Sequence, residues 1–300
     1  MNTVTEDVEL ALDARAELGE CPVWCEREQV LYWIDIREPA LHRYDPATDQ
    51  DQSWRMPAEI GAFALCRSGR VLAALRTGLV CFALGAADYE LLAPSPFDPR
   101  THRFNEGKCD ARGRFWVGTM YDPLQPHDHS VARALPLHVY TMESGLRPID
   151  ASAQTANGLG WSPDQRTMYF ADTRARTIRR FEFDLAAGTA RAPQTFVQFS
   201  DERDRPDGAA VDAEGGYWCA LYSASRVVRI DPSGRIEREI ALPVSQPTMC
   251  AFGGPELDTL YITSAAQRLD ANTLGRQPHA GGLFRCRPGV RGVTPNLFAD

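Results

Sequence analysis

The chain has 300 residues, 44% of them hydrophobic and 24% charged, and its 32 basic against 40 acidic side chains give a formal charge of −8. This is ordinary globular composition, long enough for one large core or two small ones, and no Lys/Arg run offers the footprint that neutralising a phosphate backbone requires, which excludes nucleic acid as a partner. The acidic start "MNTVTEDVELALD" is unlike a secretory leader and no apolar run is long enough to span a bilayer, so a soluble, cytoplasmic protein without a membrane partner is expected, as a monomer or weak homo-oligomer.

In chain order, a short strand is expected near "VELALDA". After it the same pattern recurs six times: "CEREQVLYWID", "CRSGRVLAAL", "DARGRFWVGT", "SPDQRTMYFAD", "DAEGGYWCAL" and "GPELDTLYITS" each set a polar turn before a run of aromatic and branched residues. The repeats start about 40 to 55 residues apart, the spacing of propeller blades. Each is preceded by another apolar stretch ("CPVW", "AFAL", "NEGKC", "GLGW", "GAAV", "MCAF"), and several are followed by a third ("LHRYD", "LHVYT", "IRRFEFD", "VVRID", "LFRC"). Three or four short strands per unit joined by hairpins, with almost no helical periodicity, predict an all-β chain, a six-bladed β-propeller over residues 1–300 as one domain. The early strand would complete the last blade and latch the ring. The eight cysteines contain no C-x-x-C and sit mostly in strand-like runs, which predicts reduced, buried thiols. A Cys21–Cys25 disulfide is disfavoured in a cytosolic setting.

In a propeller the innermost strand of each blade lines the central channel, and the residue entering it sits at one mouth. Aligning the repeats on their aromatic runs brings Glu20, Glu106, Asn157 and Asp207 to equivalent positions around one axis. One Asn-Gly or Asp-Gly pair is a turn former and no more; the shared register of the set points to a site. Carboxylates converging there repel unless a cation neutralises them, and an all-oxygen donor set suits one divalent ion: calcium, magnesium or manganese, with zinc also possible.

The segments "LGECPVW", "LYWIDI", "HRYDP", "HRFNEGKCDARGRFWVGTM", "NGLGWSPD", "RPDGAAVDAEGGYWCAL", "VVRIDPSGR", "CAFGGPELDTLYIT" and "QPHAGGLFR" resemble, in order, the regucalcin (senescence marker protein), gluconolactonase and sugar-lactone hydrolase family, over about residues 15 to 297. The resemblance implies a six-bladed propeller that holds one divalent cation through Glu20, Asn157 and Asp207. It also implies substrate contacts from the "RFN" segment, Arg103 and Asn105. Strand alternation puts those two on one side, leaving Glu106 to face elsewhere or reach the shell around the metal, and places Lys108 further along the same face. Many members carry a glutamate after "GTM" that holds substrate hydroxyls; this chain has Tyr121, Asp122 and Pro123 there, with Asp122 the candidate replacement.

The chemistry expected is metal-dependent opening of a sugar 1,4- or 1,5-lactone to the aldonic acid, a small-molecule substrate, with Asp207 as general base and Glu20 as ligand only. Two other classes share the scaffold: a non-enzymatic calcium-binding regulatory propeller, and an esterase or phosphotriesterase. No G-x-S-x-G elbow supplies a serine nucleophile. His127 and His129 in "PHDHS" read as an exposed loop, and Arg174, Arg176, Arg179 and Arg180 as a solvated blade surface.

Overall fold

The computed structural model describes residues 7–125 and 133–300. His127 and His129 lie outside them.

Six four-stranded antiparallel sheets follow one another along the chain. The first blade is β2 (Gly19–Cys25), β3 (Val30–Asp35), β4 (Ala40–Asp45) and β5 (Gln50–Arg55), and the second β6 (Ile60–Leu65), β7 (Val71–Leu75), β8 (Gly78–Phe82) and β9 (Glu90–Pro94). The third holds β10 (His102–Cys109), β11 (Phe115–Tyr121), β12 (Leu135–Thr141) and β13 (Gly145–Ala153). In the fourth are β14 (Ala156–Trp161), β15 (Thr167–Asp172), β16 (Thr177–Asp184) and β17 (Thr189–Gln198); in the fifth, β18 (Arg205–Val211), β19 (Tyr217–Tyr222), β20 (Arg226–Ile230) and β21 (Ile236–Ala241). The last combines β22 (Pro247–Gly253), β23 (Thr259–Ser264) and β24 (Leu283–Cys286) with β1 (Glu9–Leu12), which pairs antiparallel to β24. The expected latch is therefore present: a strand from one end of the chain completes the blade built from the other. Inner strands pack against each other in sequence and β2 packs on β22, so the ring is closed. This is a six-bladed β-propeller.

Burial follows position in the blade. β3, β7 and β23 are buried at every residue because neighbouring blades cover both faces, whereas the outermost β5 is exposed along nearly its whole length. All eight cysteines are free and buried.

The "DARGRFW" and "DAEGGYW" repeats show what their spacing is for. Asp110 and Asp212, both fully buried, sit at the ends of inner strands and accept from the indole Nε1 of Trp116 and Trp218, each at 2.8 Å. The Asp110 carboxylate also takes Arg112 N and Arg114 N, and that of Asp212 takes Glu214 N and Gly216 N. The hairpins turn at Gly113 (φ 83°) and Gly215 (φ 86°), where a side chain would be strained. Arg114 Nε and Arg229 Nε close each cluster at 2.6 and 2.7 Å.

Every inner strand also breaks register once, near its mouth end: at Glu20/Val23, Ile60/Ala62, Asn105/Gly107, Asn157/Gly160, Pro206/Ala209 and Pro247/Met249. A bulge re-aims the side chains beside it. Here it does so around the axis.

Asp212→Ala leaves the Arg229 guanidinium and the Trp218 indole without their buried acceptor. The expected loss is about 3–5 kcal/mol, the usual cost of removing one partner of a buried pair, read as a fall in the denaturant midpoint.

Candidate metal and substrate site at the channel mouth

A cavity of about 570 Å³ opens at the mouth, with the buried side chains of Glu20, Arg103, Asn105, Asn157 and Asp207 among its lining. The register corrects one member of the expected set. Glu20 pairs with Ile34 and Asn157 with Ala171, each just before a bulge, and in the third blade the residue in that place is Asn105, opposite Gly118. Glu106 follows it and occupies the bulge itself at φ 41°, as Cys21 does at 48° and Gly158 at 61°. Its side chain leaves the mouth and crosses to the next blade, where it accepts from Gly158 N (2.6 Å) and Leu159 N (2.7 Å). Lys108, opposite Trp116, keeps to the face of Arg103 and Asn105, which lie opposite Met120 and Gly118, but sits further down the channel: Lys108 Nζ donates to Leu159 O at 2.8 Å and to Ala209 O. Lys108 lines a separate, smaller cavity on the other side, which shares no lining residue with the mouth.

A hydrogen-bonded series runs across three blades and fixes the two amides. Arg103 Nη1 donates to Asn105 Oδ1 (2.6 Å), Asn105 Nδ2 donates to Asn157 Oδ1 (2.8 Å) and to Ala156 O (2.8 Å), and Asn157 Nδ2 donates to Thr173 Oγ1 (2.7 Å). Thr173 Oγ1 gives its own proton to Pro206 O at 2.7 Å. The hydroxyl can then only accept from Asn157, so the Asn157 amide nitrogen is committed to that side and Oδ1 to the other. The series ends on the residue before Asp207.

Backbone position is set by two aspartates that sequence reading passed over. Asp35 accepts from Glu17 N (2.8 Å), Leu18 N (3.1 Å), Arg37 N (2.9 Å) and Glu38 N (3.2 Å). Asp172 does the same with Gln154, Thr155, Arg174 and Ala175. Each therefore pins the segment two residues ahead of Glu20 or Asn157. The signal was present as the matched ends of "LYWID" and "MYFAD".

Glu20 and Asp207 are both 7% exposed. Burial, then the charge of Glu106, pushes the Glu20 carboxyl up to about 8. Burial, then Glu20 and Glu106, drives Asp207 well above the usual carboxylate range. Cys21 N, at 3.2 Å from Glu20 Oε2, offers slight relief, and neither acid forms an ion pair among the described residues. Two desolvated acids beside a fixed amide oxygen are a poor arrangement for the protein alone and a good one for a hard divalent cation. Glu20, Asn157 and Asp207 are thus the residues that fit the ion.

Asp122 lines the cavity as expected, but its carboxylate is already engaged. Arg37 Nη2 (2.9 Å), Arg76 Nη2 (3.2 Å) and Arg103 Nε (2.8 Å) all reach it. Burial works to raise this carboxyl, yet Arg103 and Arg37 outweigh it and hold it well below the usual range. Glu59, which pairs with Arg37 and Arg76, completes the network. Asp122 therefore positions Arg103, whose own burial leaves it 3% exposed. The basic "RARTIRR" segment divides: Arg179 Nη2 goes to Ser152 O and Arg180 to Gln194 on the blade surface, while Arg174 and Arg176 line the mouth.

Known proteins resemble this chain along nearly its whole length. A family profile described as the SMP-30/gluconolactonase/LRE-like region matches residues 18–266. The chain is 39% identical to a 6-deoxy-6-sulfogluconolactonase of Pseudomonas putida over 284 residues, covering 94% of this chain and 95% of that one. It is 34% identical to regucalcin of Xenopus laevis, covering 97% and 98%. A crystal structure of a calcium-binding protein, regucalcin, from Agrobacterium tumefaciens superposes with a TM-score of 0.91 at 25% identity over the whole of both chains.

If the two acids are strained without a counter-ion, Glu20→Gln should melt no lower than the parent in excess chelator, because it removes one desolvated carboxylate. With calcium or manganese in excess the order should reverse, the parent gaining several degrees that Glu20→Gln does not. Paired thermal melts check both halves.

Proposed function

This chain belongs to the SMP-30/gluconolactonase/LRE-like family, and we propose that it is a metal-dependent lactonase opening a sugar 1,4- or 1,5-lactone to the aldonic acid. The observation that carries this reading is the pair of buried carboxylates, Glu20 and Asp207, raised by burial and then by neighbouring acids, Glu106 for Glu20 and Glu20 with Glu106 for Asp207, beside the fixed Asn157 oxygen. A divalent cation held by Glu20, Asn157 and Asp207 would neutralise the acids and polarise the lactone carbonyl.

The remaining chemistry belongs to the side chains. Arg103 and Asn105, locked by Asp122 and by each other, present donors and acceptors to the ring hydroxyls and orient the carbonyl. Asp207 takes a proton from the attacking water as the new C–O bond forms and returns it to the ring oxygen as the ring C–O bond breaks. Glu20 stays a ligand. Glu106 and Lys108 stand behind the floor of the site and hold blades three, four and five together. The free, buried cysteines accord with a cytoplasmic protein, and among the described residues no helix is long and apolar enough to cross a membrane.

The two acids should separate under substitution. Chelation should abolish lactone hydrolysis and added divalent ion restore it. Asp207→Asn should stay depressed by about 10²- to 10⁴-fold at saturating metal, the usual worth of a general base, whereas excess metal should rescue Glu20→Gln substantially. Acid release from a panel of aldonolactones gives the rates. Metal-saturated Asp207→Asn turning over within a few-fold of the parent would make Asp207 a ligand only.

A further inference from the structure

The rim of the mouth carries a charge that a neutral lactone does not use. Besides the deep Arg37 and Arg103, the cavity is lined by Arg174 and Arg176 from the β15–β16 turn, Arg205 at the start of β18, and Arg268 beyond β23. Arg37 and Arg103 are consumed by Asp122. Among the described residues the guanidinium groups of Arg174, Arg176 and Arg268 have no ion pair, and Arg205 Nε reaches only Glu202 O at 3.3 Å. Their neighbours behave otherwise: Arg203 pairs with Asp201, and Arg226 with Asp204. Apart from Glu20 and Asp207 at the bottom of the cavity and Asp122, already matched by guanidinium groups, Glu202 is the only acidic side chain in its lining. In a chain of net charge −8, four arginines from three different segments converge on one opening with a single carboxylate among them.

The deeper layers make this field matter. The acids at the bottom, Glu20 and Asp207, are those that fit the divalent ion, and Asp122 is already matched by guanidinium groups. With the ion in place the whole mouth is positive, and its low-dielectric walls focus that potential on whatever enters. Arginine also offers paired N–H donors that match planar or tetrahedral oxyanions. Resting on the lactonase reading, we propose that the substrate is an anionic sugar lactone, bearing a carboxylate, sulfonate or phosphate on the part of the molecule remote from the ring carbonyl. The carbonyl lies inward toward Asp207 and the anion outward among Arg174, Arg176 and Arg268.

The test compares kcat/KM for glucono-1,5-lactone with that for its 6-phospho and 6-deoxy-6-sulfo counterparts and for a glucarolactone, in manganese-loaded full-length protein at low and high salt. At least one anionic lactone should exceed the neutral one by about 10-fold or more at low ionic strength, and the advantage should shrink as salt screens it. The anion preferred identifies the substituent. In Arg174→Gln with Arg268→Gln the ratio of charged to neutral kcat/KM should collapse toward one, while the Lys counterparts at both positions retain part of it. Melting temperatures with metal establish that these exposed substitutions leave the fold intact. A neutral lactone used as well as or better than every charged one, or a ratio unmoved in the double Gln variant, overturns this inference and leaves the lactonase reading standing. Hydrolysis of no lactone at all overturns both.

Discussion

Two buried carboxylates that face a common axis without a protein counter-ion govern the rest of this molecule. Burial, reinforced by neighbouring negative charge, opposes their ionisation, and an unpaired buried ion costs several kcal/mol, a large part of the roughly 5–15 kcal/mol that holds a typical domain folded. Glu20 and Asp207 can be kept in that position only by a scaffold that leaves them no other conformation. Much of the ring around the mouth serves that end.

The scaffold acts at three levels. Bulges in β2, β10, β14 and β18 lie beside Glu20, Asn105, Asn157 and Asp207, which line the mouth. Asp35 and Asp172 gather four backbone N–H groups each and pin the approach to Glu20 and Asn157. The series from Arg103 through Asn105, Asn157 and Thr173 to Pro206 then decides which face of each amide looks inward. Breaking any link loosens the next, since each donor is committed by the partner behind it.

The blades were legible in the sequence because their period is long and their strands are short, and Glu20, Asn157 and Asp207 were legible because each sits at the same offset within its repeat. Glu106 was misplaced by one residue for a definite reason. Counting ten residues back from the first residue of β3, β11, β15 and β19 lands on Glu20, Asn105, Asn157 and Asp207, but the aromatics begin two residues into β3 and β15 and at the first residue of β11 and β19, so an alignment on the aromatic run slips. Lys108 keeps to the face of Arg103, but its depth in the channel, which puts it in the other cavity, has no signature in the sequence. Asp122 was found in sequence but its partners were not, since Arg37, Glu59 and Arg76 come from two other blades and no local pattern joins them. The division of the "RARTIRR" arginines was invisible for a related reason: turn residues and strand residues in one basic run point to different surfaces.

Glu106 and Lys108 have a further consequence. Their bonds to Gly158, Leu159 and Ala209 tie three inner strands together across the channel, and the cavities on the two sides share no lining residue. Among the described residues this tie stands between the two cavities, and what is made in the mouth leaves past the rim by which its precursor came in. Opening a lactone creates a carboxylate, so the outgoing molecule carries one more negative charge than the incoming one and meets the same arginines on its way out. Departure of product, more than ring opening, is then the event that ionic strength and competing anions in the cell would pace.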